Sequence, residues 1–395
     1  MSAYLDHAAT TPMVPAAIEA YAGALARVGN PSSLHSSGRA ARALVEESRE
    51  QIAELLGARP SEVIFTSGGT EADNLAIKGT LAARAGADPA RRRLVVSAIE
   101  HHAVLDPVEY LITTGAADVT WLEPDACGLV SVDGLTGVLE AAASDVALVS
   151  VMWANNEVGS VQPIGSLAEV ARARSVPMHS DAVQAVGHLP VDFAASGLDL
   201  MTVTAHKLGG PVGIGALLAR RDATLVPLSH GGGQERQVRS GTLDAAAAHA
   251  FAVALDVAVS SRATEAARLV AMRDRVITEA MALGLGITVS GCWAEGDVQS
   301  RLPGNAHLVI PDAEGDSLLY LLDAAGVEVS TGSACQAGVP QPSHVLLAMG
   351  VPEARARGAL RISLGRTSTD ADVDALLAAL PGVVERARRA SSRAR

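Results

Sequence analysis

The amino-acid sequence predicts an α/β protein whose strands form a mostly parallel sheet. Short apolar segments typical of buried strands end in polar residues, and stretches with a helical spacing of apolar side chains separate them. Three of these polar ends, at Asn156, Asp181 and Lys207, follow one another at intervals of 25 and 26 residues. One strand and one helix occupy such an interval, so we expect the three side chains at one edge of a single sheet.

Length and composition favour two domains in one globular chain. The 395 residues suit a large domain over residues 15–260 and a smaller one over residues 261–395, where the pattern of elements changes. Hydrophobic residues make up 49% of the chain and aromatic residues 3%, so aliphatic side chains must fill the core. The net charge of −12 argues against a bulk nucleic-acid-binding surface.

The cysteines and the absence of targeting signals suggest a cytoplasmic protein. Cys127, Cys292 and Cys335 lie far apart without a CxxC pair, which argues against a disulfide framework and a cysteine-rich zinc site. We interpret Cys127 and Cys292 as incidental. We see no signal peptide, and the most apolar long window, residues 245–260, is interrupted by a histidine and an aspartate and predicts a buried helix.

The N-terminal part alternates helical patterns with a first short strand. Pro15 opens one helical pattern, and a second extends from Gly38 to Leu56 and ends at a glycine. A strand over residues 62–66 leads into Ser67-Gly68-Gly69-Thr70, whose glycines, hydroxyl groups and following helix are suited to holding an anion. An ordinary strand–helix turn with Thr70 as the N-cap explains the same residues equally well.

Polar residues follow four further buried segments. A lysine at the carboxyl end of a buried strand lies where open α/β sheets bind ligands, and burial readily lowers its pKa. The spacing favours this function for Lys207 over a surface lysine that opens a loop. For His101, a structural histidine held by hydrogen bonds is as good an interpretation as a catalytic one. The four segments are residues 93–98, 145–153, 176–178 and 199–205.

The C-terminal part predicts a smaller α/β domain. A glycine- and hydroxyl-rich loop over residues 231–242 precedes an alanine-rich connecting helix that begins near Asp244. Beyond it, the pattern predicts helices over 265–283, 315–325 and 370–379 and strands over 287–290, 305–310 and 327–329.

A lysine, a buried aspartate and an anion cradle together suit pyridoxal phosphate. This cofactor needs a lysine for its Schiff base, an acid beside its ring nitrogen and a phosphate site, which Lys207, Asp181 and the Gly69-Thr70 loop supply. Cys335 lies among glycine, serine and alanine, so we expect it to be exposed and reactive, although most free cysteines are buried and inert. No third ligand accompanies His179 and Asp181, so we expect no metal site.

These motifs resemble those of the cysteine desulfurases, which are fold-type I pyridoxal-phosphate enzymes of the class-V aminotransferase family. The resemblance covers nearly the whole chain and is greatest to the housekeeping branch that serves iron–sulfur assembly and tRNA thiolation. It implies a large domain with a seven-stranded sheet flanked by helices, a small domain that carries the cysteine loop, and an N-terminal segment, residues 1–14, that packs with the small domain. The motifs are Tyr4–Pro12, Asn30–His35, Thr66–Glu71, Glu100–Val104, Asn155–Gly159, Asp181–Gln184, His206-Lys207, Arg239–Thr242, Gly332–Cys335 and Arg361–Arg366.

The resemblance also implies a role for each matching residue. Lys207 would hold the cofactor, Asp181 would pair with its ring nitrogen, and His101 would stack on the ring. Arg361 would clamp the substrate carboxylate as a fork. Cys335 would take the sulfur of L-cysteine, leaving L-alanine and a persulfide for transfer. Asn156 and Gln184 would bind the phenolic oxygen, Asn156 would also contact substrate, and Gly69, Thr70, Thr204, His206 and the partner subunit's Thr242 would hold the phosphate.

We therefore expect a homodimeric L-cysteine desulfurase with a mobile Cys335 loop. Two positions depart from the family pattern: Thr204 stands where serine is usual, and Gln336 where threonine or serine is commoner. A selenocysteine lyase, another class-V aminotransferase reaction and a non-catalytic scaffold are the alternatives. The sulfur acceptor is open between an iron–sulfur scaffold, on which a transient cluster would form, a tRNA-thiolating enzyme and an apoprotein; no direct nucleic-acid or membrane partner is expected.

Overall fold

A computed structural model describes residues 2–332 and 342–394. Its strands form three sheets of two, three and seven strands. The strands in chain order are β1 (Ala3–Tyr4), β2 (Val63–Thr66), β3 (Arg93–Ser97), β4 (Asp118–Leu122), β5 (Val146–Ser150), β6 (Met178–Asp181), β7 (Leu200–Thr204), β8 (Gly215–Ala219), β9 (Thr288–Val289), β10 (Asn305–Val309), β11 (Val327–Glu328) and β12 (Ala359–Ser363).

Helices connect most of these strands, and a π-helical turn, Leu75–Gly79, joins α3 to α4. The helices in chain order are α1 (Pro15–Leu25), α2 (Ser36–Leu55), α3 (Gly69–Asn74), α4 (Thr80–Ala87), α5 (His102–Thr113), α6 (Val132–Ala142), α7 (Ile164–Ala173), α8 (Phe193–Ser196), α9 (Ala245–Ala282), α10 (Gly315–Asp323), α11 (His344–Ala348), α12 (Glu353–Ala356) and α13 (Asp370–Ala394). None of the helices described is long and apolar enough to cross a membrane.

The seven-stranded sheet confirms the predicted α/β fold. Its strand order is β2-β8-β7-β6-β5-β3-β4. Strands β4, β3, β5, β6 and β7 pair in parallel, whereas β8 is antiparallel to both of its neighbours, β7 and β2. The carboxyl ends of β3, β5, β6 and β7 therefore meet at one edge of the sheet.

Aliphatic side chains cover both faces of this sheet. Strands β5, β7 and β8 are buried at every residue, as expected where helices lie on both faces of a parallel sheet. Side chains of α2, α6, α7 and the start of α9 pack on one face, and those of α3, α4 and α5 pack on the other. Each fully buried valine or leucine contributes about 1.5–3 kcal/mol, so this core fixes the strand ends firmly.

A second core lies around the antiparallel sheet β12-β10-β9. It is formed by α10, α13, the second half of α9 and the inward-facing side chains of the sheet. Strand β1 pairs in parallel with β11, so Ala3 and Leu5 from the start of the chain join this core. The domain limits at residues 14/15 and 260/261 stay predictions.

Helix α9 corrects the prediction of a separate helix over residues 265–283. It continues without a break for 38 residues, which corresponds to roughly 57 Å at the usual rise per residue. The Asp244 side chain accepts a hydrogen bond from the Ala247 N–H and caps its start. Alanine has the highest helix propensity, and neither glycine nor proline interrupts the helix, so nothing in the sequence ends it near residue 261.

The cysteine prediction also needs correction, because the structure joins Cys127 and Cys292 in a disulfide. Their Cα atoms lie 4.6 Å apart although 165 positions separate them in sequence. The interpretation of both residues as incidental is therefore wrong. It failed because distance along the chain does not reveal that the loop before α6 packs on the loop after β9.

A buried ion pair connects α2 to the segment that follows β8. Arg49 Nη1 and Nη2 donate to the two Glu235 carboxylate oxygens at 2.8 and 2.6 Å, and Glu235 also accepts from the Phe65 N–H at 2.6 Å. Glu235, Arg236 and Gln237 have φ angles of 44°, 58° and 64°, a left-handed conformation that is costly for side-chain-bearing residues. The ion pair therefore holds a strained turn in place.

We predict that Glu235→Ala lowers the free energy of unfolding by about 3–5 kcal/mol, because it leaves the Arg49 charge buried without its partner. Urea unfolding followed by circular dichroism measures the change. The matched control is Glu385→Ala, which removes an exposed pair with Arg389 and should cost no more than about 1 kcal/mol. Equal losses in both variants would contradict the structural importance of the buried pair.

Candidate active site

The carboxyl ends of the parallel strands enclose a cavity of about 360 Å³. Backbone and side chains of the N-terminal segment, α3 and β12 complete its wall. Of the predicted site residues, Cys335 lies outside the described part of the chain, and Thr242 is exposed and does not line the cavity. The predicted residues that do line it are Gly69, Thr70, His101, Asn156, Asp181, Gln184, Thr204, His206, Lys207 and Arg361.

Lys207 follows β7 and extends into the cavity. Its Nζ donates hydrogen bonds to the carbonyl oxygens of Ala8 and Ala9, at 2.7 and 2.6 Å. Burial and the nearby Arg361 lower the pKa of Lys207 to about 8, although Asp181 and Asp6 oppose that shift. A useful fraction of the amine is therefore neutral near pH 7 to 8, as a nucleophile or proton carrier requires.

Asp181 ends β6 on the floor of the same cavity. One carboxylate oxygen accepts a hydrogen bond from the Val183 N–H at 2.9 Å. Burial raises the pKa of Asp181 to about 6, while that hydrogen bond and the Lys207 charge lower it. At neutral pH most of the carboxyl is ionised and can pair with a cationic group.

The structure gives His101 a structural role, and its catalytic role stays a prediction. Its Nδ1 accepts a hydrogen bond from the Ala103 N–H at 3.1 Å and so caps α5. Burial, followed by the Lys207 charge, lowers the pKa of His101 to about 4. The ring is therefore neutral, and the accepting Nδ1 assigns its proton to Nε2.

The predicted anion cradle forms where β2 meets α3. Gly68 has a φ angle of 149°, which favours glycine, and α3 begins at Gly69. The first N–H groups of a helix have no acceptor within it and attract anions. Glu71 supports this turn by accepting from the Ser67 N–H and from Arg239 Nε. These bonds, against the opposing effect of burial, lower the pKa of Glu71.

A threonine and a histidine, Thr204 and His206, border this cradle at the end of β7. Thr204 Oγ1 donates to the Ile214 carbonyl at 3.3 Å, and His206 Nδ1 lies 3.3 Å from Thr10 Oγ1. Burial and the adjacent Lys207 lower the pKa of His206 to about 4, so its ring is neutral. Neutral donors here add hydrogen-bonding capacity beside the cradle without adding charge.

Arg361 reaches the cavity from β12, in the sheet of the second core. Its Nη2 donates to Asp6 Oδ1 at 2.7 Å, and its Nη1 donates to the Asn156 carbonyl at 3.1 Å. Its Nε is buried and has no hydrogen-bond partner among the described residues. The guanidinium thus retains donor capacity for an anionic group. On the same wall, Gln184 Nε2 donates to the Ala8 carbonyl at 2.9 Å.

Sequence reasoning missed two buried carboxyl groups beside Asp181. Asp73 lines the cavity, and its Oδ1 lies 3.5 Å from His179 Nε2. Glu100 accepts a hydrogen bond from the Met152 N–H at 2.5 Å. Burial and the charge of Asp181 raise the pKa of both groups well above the usual range. The signal for Asp73 was its position three residues after Thr70, which places both on one helix face.

The described residues contain no group of three or more histidine, cysteine, aspartate or glutamate side chains arranged to hold a metal ion.

Comparison with known families gives a match to the model described as aminotransferase class-V, over residues 3–376. The chain belongs to the class-V aminotransferase family.

Relatives within this family confirm the resemblance to cysteine desulfurases. An IscS-like cysteine desulfurase from Mycobacterium tuberculosis is 59% identical, over 98% of both chains. The cysteine desulfurase IscS of Dictyoglomus turgidum is 41% identical, over 98% of this chain and 96% of its own.

Solved structures agree with the observed fold. A NifS-like protein superposes with a TM-score of 0.86 at 32% identity, covering 98% of this chain and 99% of its own. A structure of SspA in complex with cysteine gives a TM-score of 0.77 at 33% identity, covering 92% and 99%. Both matches cover more than nine-tenths of this chain, so the fold is that of this family.

We predict that acetylation of Lys207 rises with pH around a midpoint near 8, because only the neutral amine reacts. The protein is first treated with hydroxylamine to remove any bound carbonyl compound, and peptide mass spectrometry then follows labelling from about pH 6 to pH 11. Asp181→Asn should lower the midpoint further, because the Asp181 carboxylate raises the pKa of Lys207.

The chain supplies an internal reference for this measurement, since Lys78 is its other lysine and gives a separate peptide. Its labelling reports the intrinsic reactivity of the reagent at each pH. A Lys207 midpoint near the ordinary lysine value of about 10.4 would contradict the buried setting described above.

Proposed function

We propose that this protein is an L-cysteine desulfurase that uses pyridoxal phosphate. The relatives that are 59% and 41% identical carry that activity in their names. The observation that carries the proposal is the meeting of Lys207, Asp181 and Arg361 at one cavity, whose wall includes Gly332. In the overall reaction, L-cysteine and the Cys335 thiol would give L-alanine and a Cys335 persulfide, with no change in the number of atoms.

The donor set and the volume of the cavity suit pyridoxal phosphate. About 360 Å³ lies within the range of small-molecule sites. Lys207 would hold the cofactor, Asp181 would pair with its ring nitrogen, and His101 would stack on its face. When bound, the cofactor supplies an electron sink that weakens bonds in the amino-acid substrate.

The remaining residues of the wall would hold the other parts of the cofactor. Asn156 and Gln184, which line the cavity, would bond its phenolic oxygen, and the cradle at the start of α3 would take its phosphate. The phosphate ligands on this proposal are Gly69, Thr70, Thr204, His206 and the partner subunit's Thr242.

The protein itself would supply substrate binding and proton transfer. Arg361 would bind the substrate carboxylate, with Asn156 beside it. Lys207, with a pKa of about 8, can accept and release protons near neutral pH. Gly332, which precedes Cys335 by three residues, is the last described residue before it and lines the cavity.

Several further features stay predictions drawn from the sequence resemblance. They are a homodimer with sites at the subunit boundary, a cytoplasmic location, and delivery of sulfur to iron–sulfur assembly or tRNA thiolation. The acceptor could equally be an apoprotein. A selenocysteine lyase is the nearest alternative, and comparing kcat/KM on L-cysteine and L-selenocysteine decides between the two.

We predict that the wild-type protein forms alanine from L-cysteine and gains one sulfur on Cys335, whereas Cys335→Ala loses both products. Alanine is measured by chromatography, and the persulfide by mass spectrometry after alkylation. The control is Cys292→Ser in reducing buffer, which should keep wild-type rates. Alanine and sulfide formation by Cys335→Ala at the wild-type rate would overturn the proposed role of Cys335 and favour another class-V reaction.

We also predict that Arg361→Lys lowers kcat/KM for L-cysteine about 10- to 100-fold, mainly by raising KM. A lysine keeps the charge but cannot form the forked pair with a carboxylate. Steady-state kinetics measure the effect. The paired control is cysteamine, which lacks the carboxylate and should react equally slowly with both proteins; a KM for L-cysteine unchanged by the substitution would refute the clamp.

A further inference from the structure

The Cys127–Cys292 disulfide joins two loops that both lie against the segment Asn155–Ser160. Cys127 lies between β4 and α6, and Cys292 lies between β9 and β10. Their Cα separation of 4.6 Å falls within the range that a disulfide spans without backbone movement. Cys292 is exposed and Cys127 is half-buried, so small reagents can reach the pair.

Both loops support the segment between them by hydrogen bonds. Ser160 Oγ donates to the Cys127 carbonyl at 2.5 Å. In the second loop the Leu302 N–H donates to the Gly159 carbonyl, and Asn305 Nδ2, at the start of β10 directly after that loop, donates to the Glu157 carbonyl, both at 2.9 Å. A covalent link between the loops therefore holds together the two supports of this segment.

The supported segment also forms part of the cavity wall. It contains Asn156, whose carbonyl accepts the hydrogen bond from Arg361 Nη1. Within it, the Asn155 side chain accepts from the N–H groups of Glu157 and Val158, so the segment is a tight, internally bonded turn. If either supporting loop became more mobile, this turn would become more mobile too, and with it this part of the cavity wall.

A buried cation lies against the backbone that leads into Cys292. Arg301 is fully buried and donates to the Ser290 carbonyl. A side chain added at Gly291 would come within 2.9 Å of Arg301 Nη2, so this guanidinium touches the turn just before Cys292. Arg301 Nε and Nη1 have no hydrogen-bond partner, and Arg301 forms no ion pair within the described residues.

The absence of a carboxylate partner has an electrostatic consequence. Burial and the charge of Arg273 lower the pKa of Arg301 to about 9, although the charges of Asp297 and Asp274 oppose that shift. An anion nearby would relieve the cost of burying this cation. Opening the disulfide supplies one, because a cysteine thiolate is stabilised beside an arginine. Arg301, which contacts the backbone at Ser290 and Gly291, would then favour the reduced pair and make the disulfide easier to open.

We propose that Cys127 and Cys292 form a redox-reversible clamp on the Asn155–Ser160 segment, closed and opened by exchange with low-molecular-weight thiols and disulfides. To close it, the exposed Cys292 thiolate attacks a small disulfide, forms a mixed disulfide and releases one small thiolate. Cys127 then attacks the Cys292 sulfur and releases the second. The two cysteines lose two electrons and two protons, and the small disulfide becomes two thiols.

The test uses the full-length protein equilibrated with mixtures of oxidised and reduced glutathione, quenched in acid and alkylated with N-ethylmaleimide after unfolding. Intact mass spectrometry should find three alkylated cysteines in the reduced limit. In the oxidised limit Cys127 and Cys292 should carry neither N-ethylmaleimide nor glutathione, whereas Cys335 should carry one of the two. Persistence of three adducts in fully oxidising buffer, or of one adduct in fully reducing buffer, would overturn the clamp.

The same samples test whether the disulfide restrains the Asn155–Ser160 segment. Hydrogen exchange at the backbone of residues 155–161 should slow at least about 3-fold on oxidation in the wild type. The Cys127→Ser/Cys292→Ser double variant should show no change between the two buffers. Equal exchange in oxidised and reduced wild-type protein would refute the link from the disulfide to this segment.

Arg301→Gln tests the electrostatic step separately. At the glutathione ratio where half of the wild type is oxidised, this variant should be mostly oxidised, an equilibrium shift of at least about 3-fold, because the reduced thiolate loses its cation. An unchanged ratio would contradict the role of Arg301. If this variant does not fold, the adduct count and the exchange measurement still decide the proposal, and neither depends on desulfurase activity.

Discussion

Parallel pairing of β3, β5, β6 and β7 is the constraint on which the candidate active site depends. Because these strands run in one direction, His101, Asn156, Asp181 and Lys207 reach the same edge although more than one hundred positions separate the first from the last. The helices that bury both faces of the sheet fix those ends. Chemistry at this edge therefore rests on hydrophobic packing that involves none of the reactive groups.

Burial shifts the pKa values of the acid and the amine of the site in opposite directions, and both shifts bring the pKa closer to 7. It raises the pKa of Asp181 and lowers that of Lys207, which brings both toward neutrality in the range where proton transfer is useful. Their mutual attraction limits each shift, and the carbonyls of Ala8 and Ala9 satisfy the amine. The N-terminal segment thus supplies polar contacts that the sheet edge lacks.

The sequence was sufficient wherever a local pattern carried the information. The regular interval between Asn156, Asp181 and Lys207 predicted their meeting, since one repeat of strand and helix has a narrow range of lengths. It was insufficient where distant parts of the chain meet: Asp73 gave a weak signal, and the approach of Cys127 to Cys292 gave none. The prediction of a separate helix over residues 265–283 is wrong because a domain boundary does not require a break in the helix, and α9 continues across the predicted one.

The pairing of β1 with β11 has a consequence for biosynthesis. Ala3 leaves the ribosome long before its partner, Val327, has been synthesised. Until then, the carbonyls that receive Lys207 are not held in place, so the large sheet can form during translation while its active site cannot. Nascent chains that stop short of β11 should therefore be folded in part, yet lack the fixed carbonyl groups that hold the Lys207 amine.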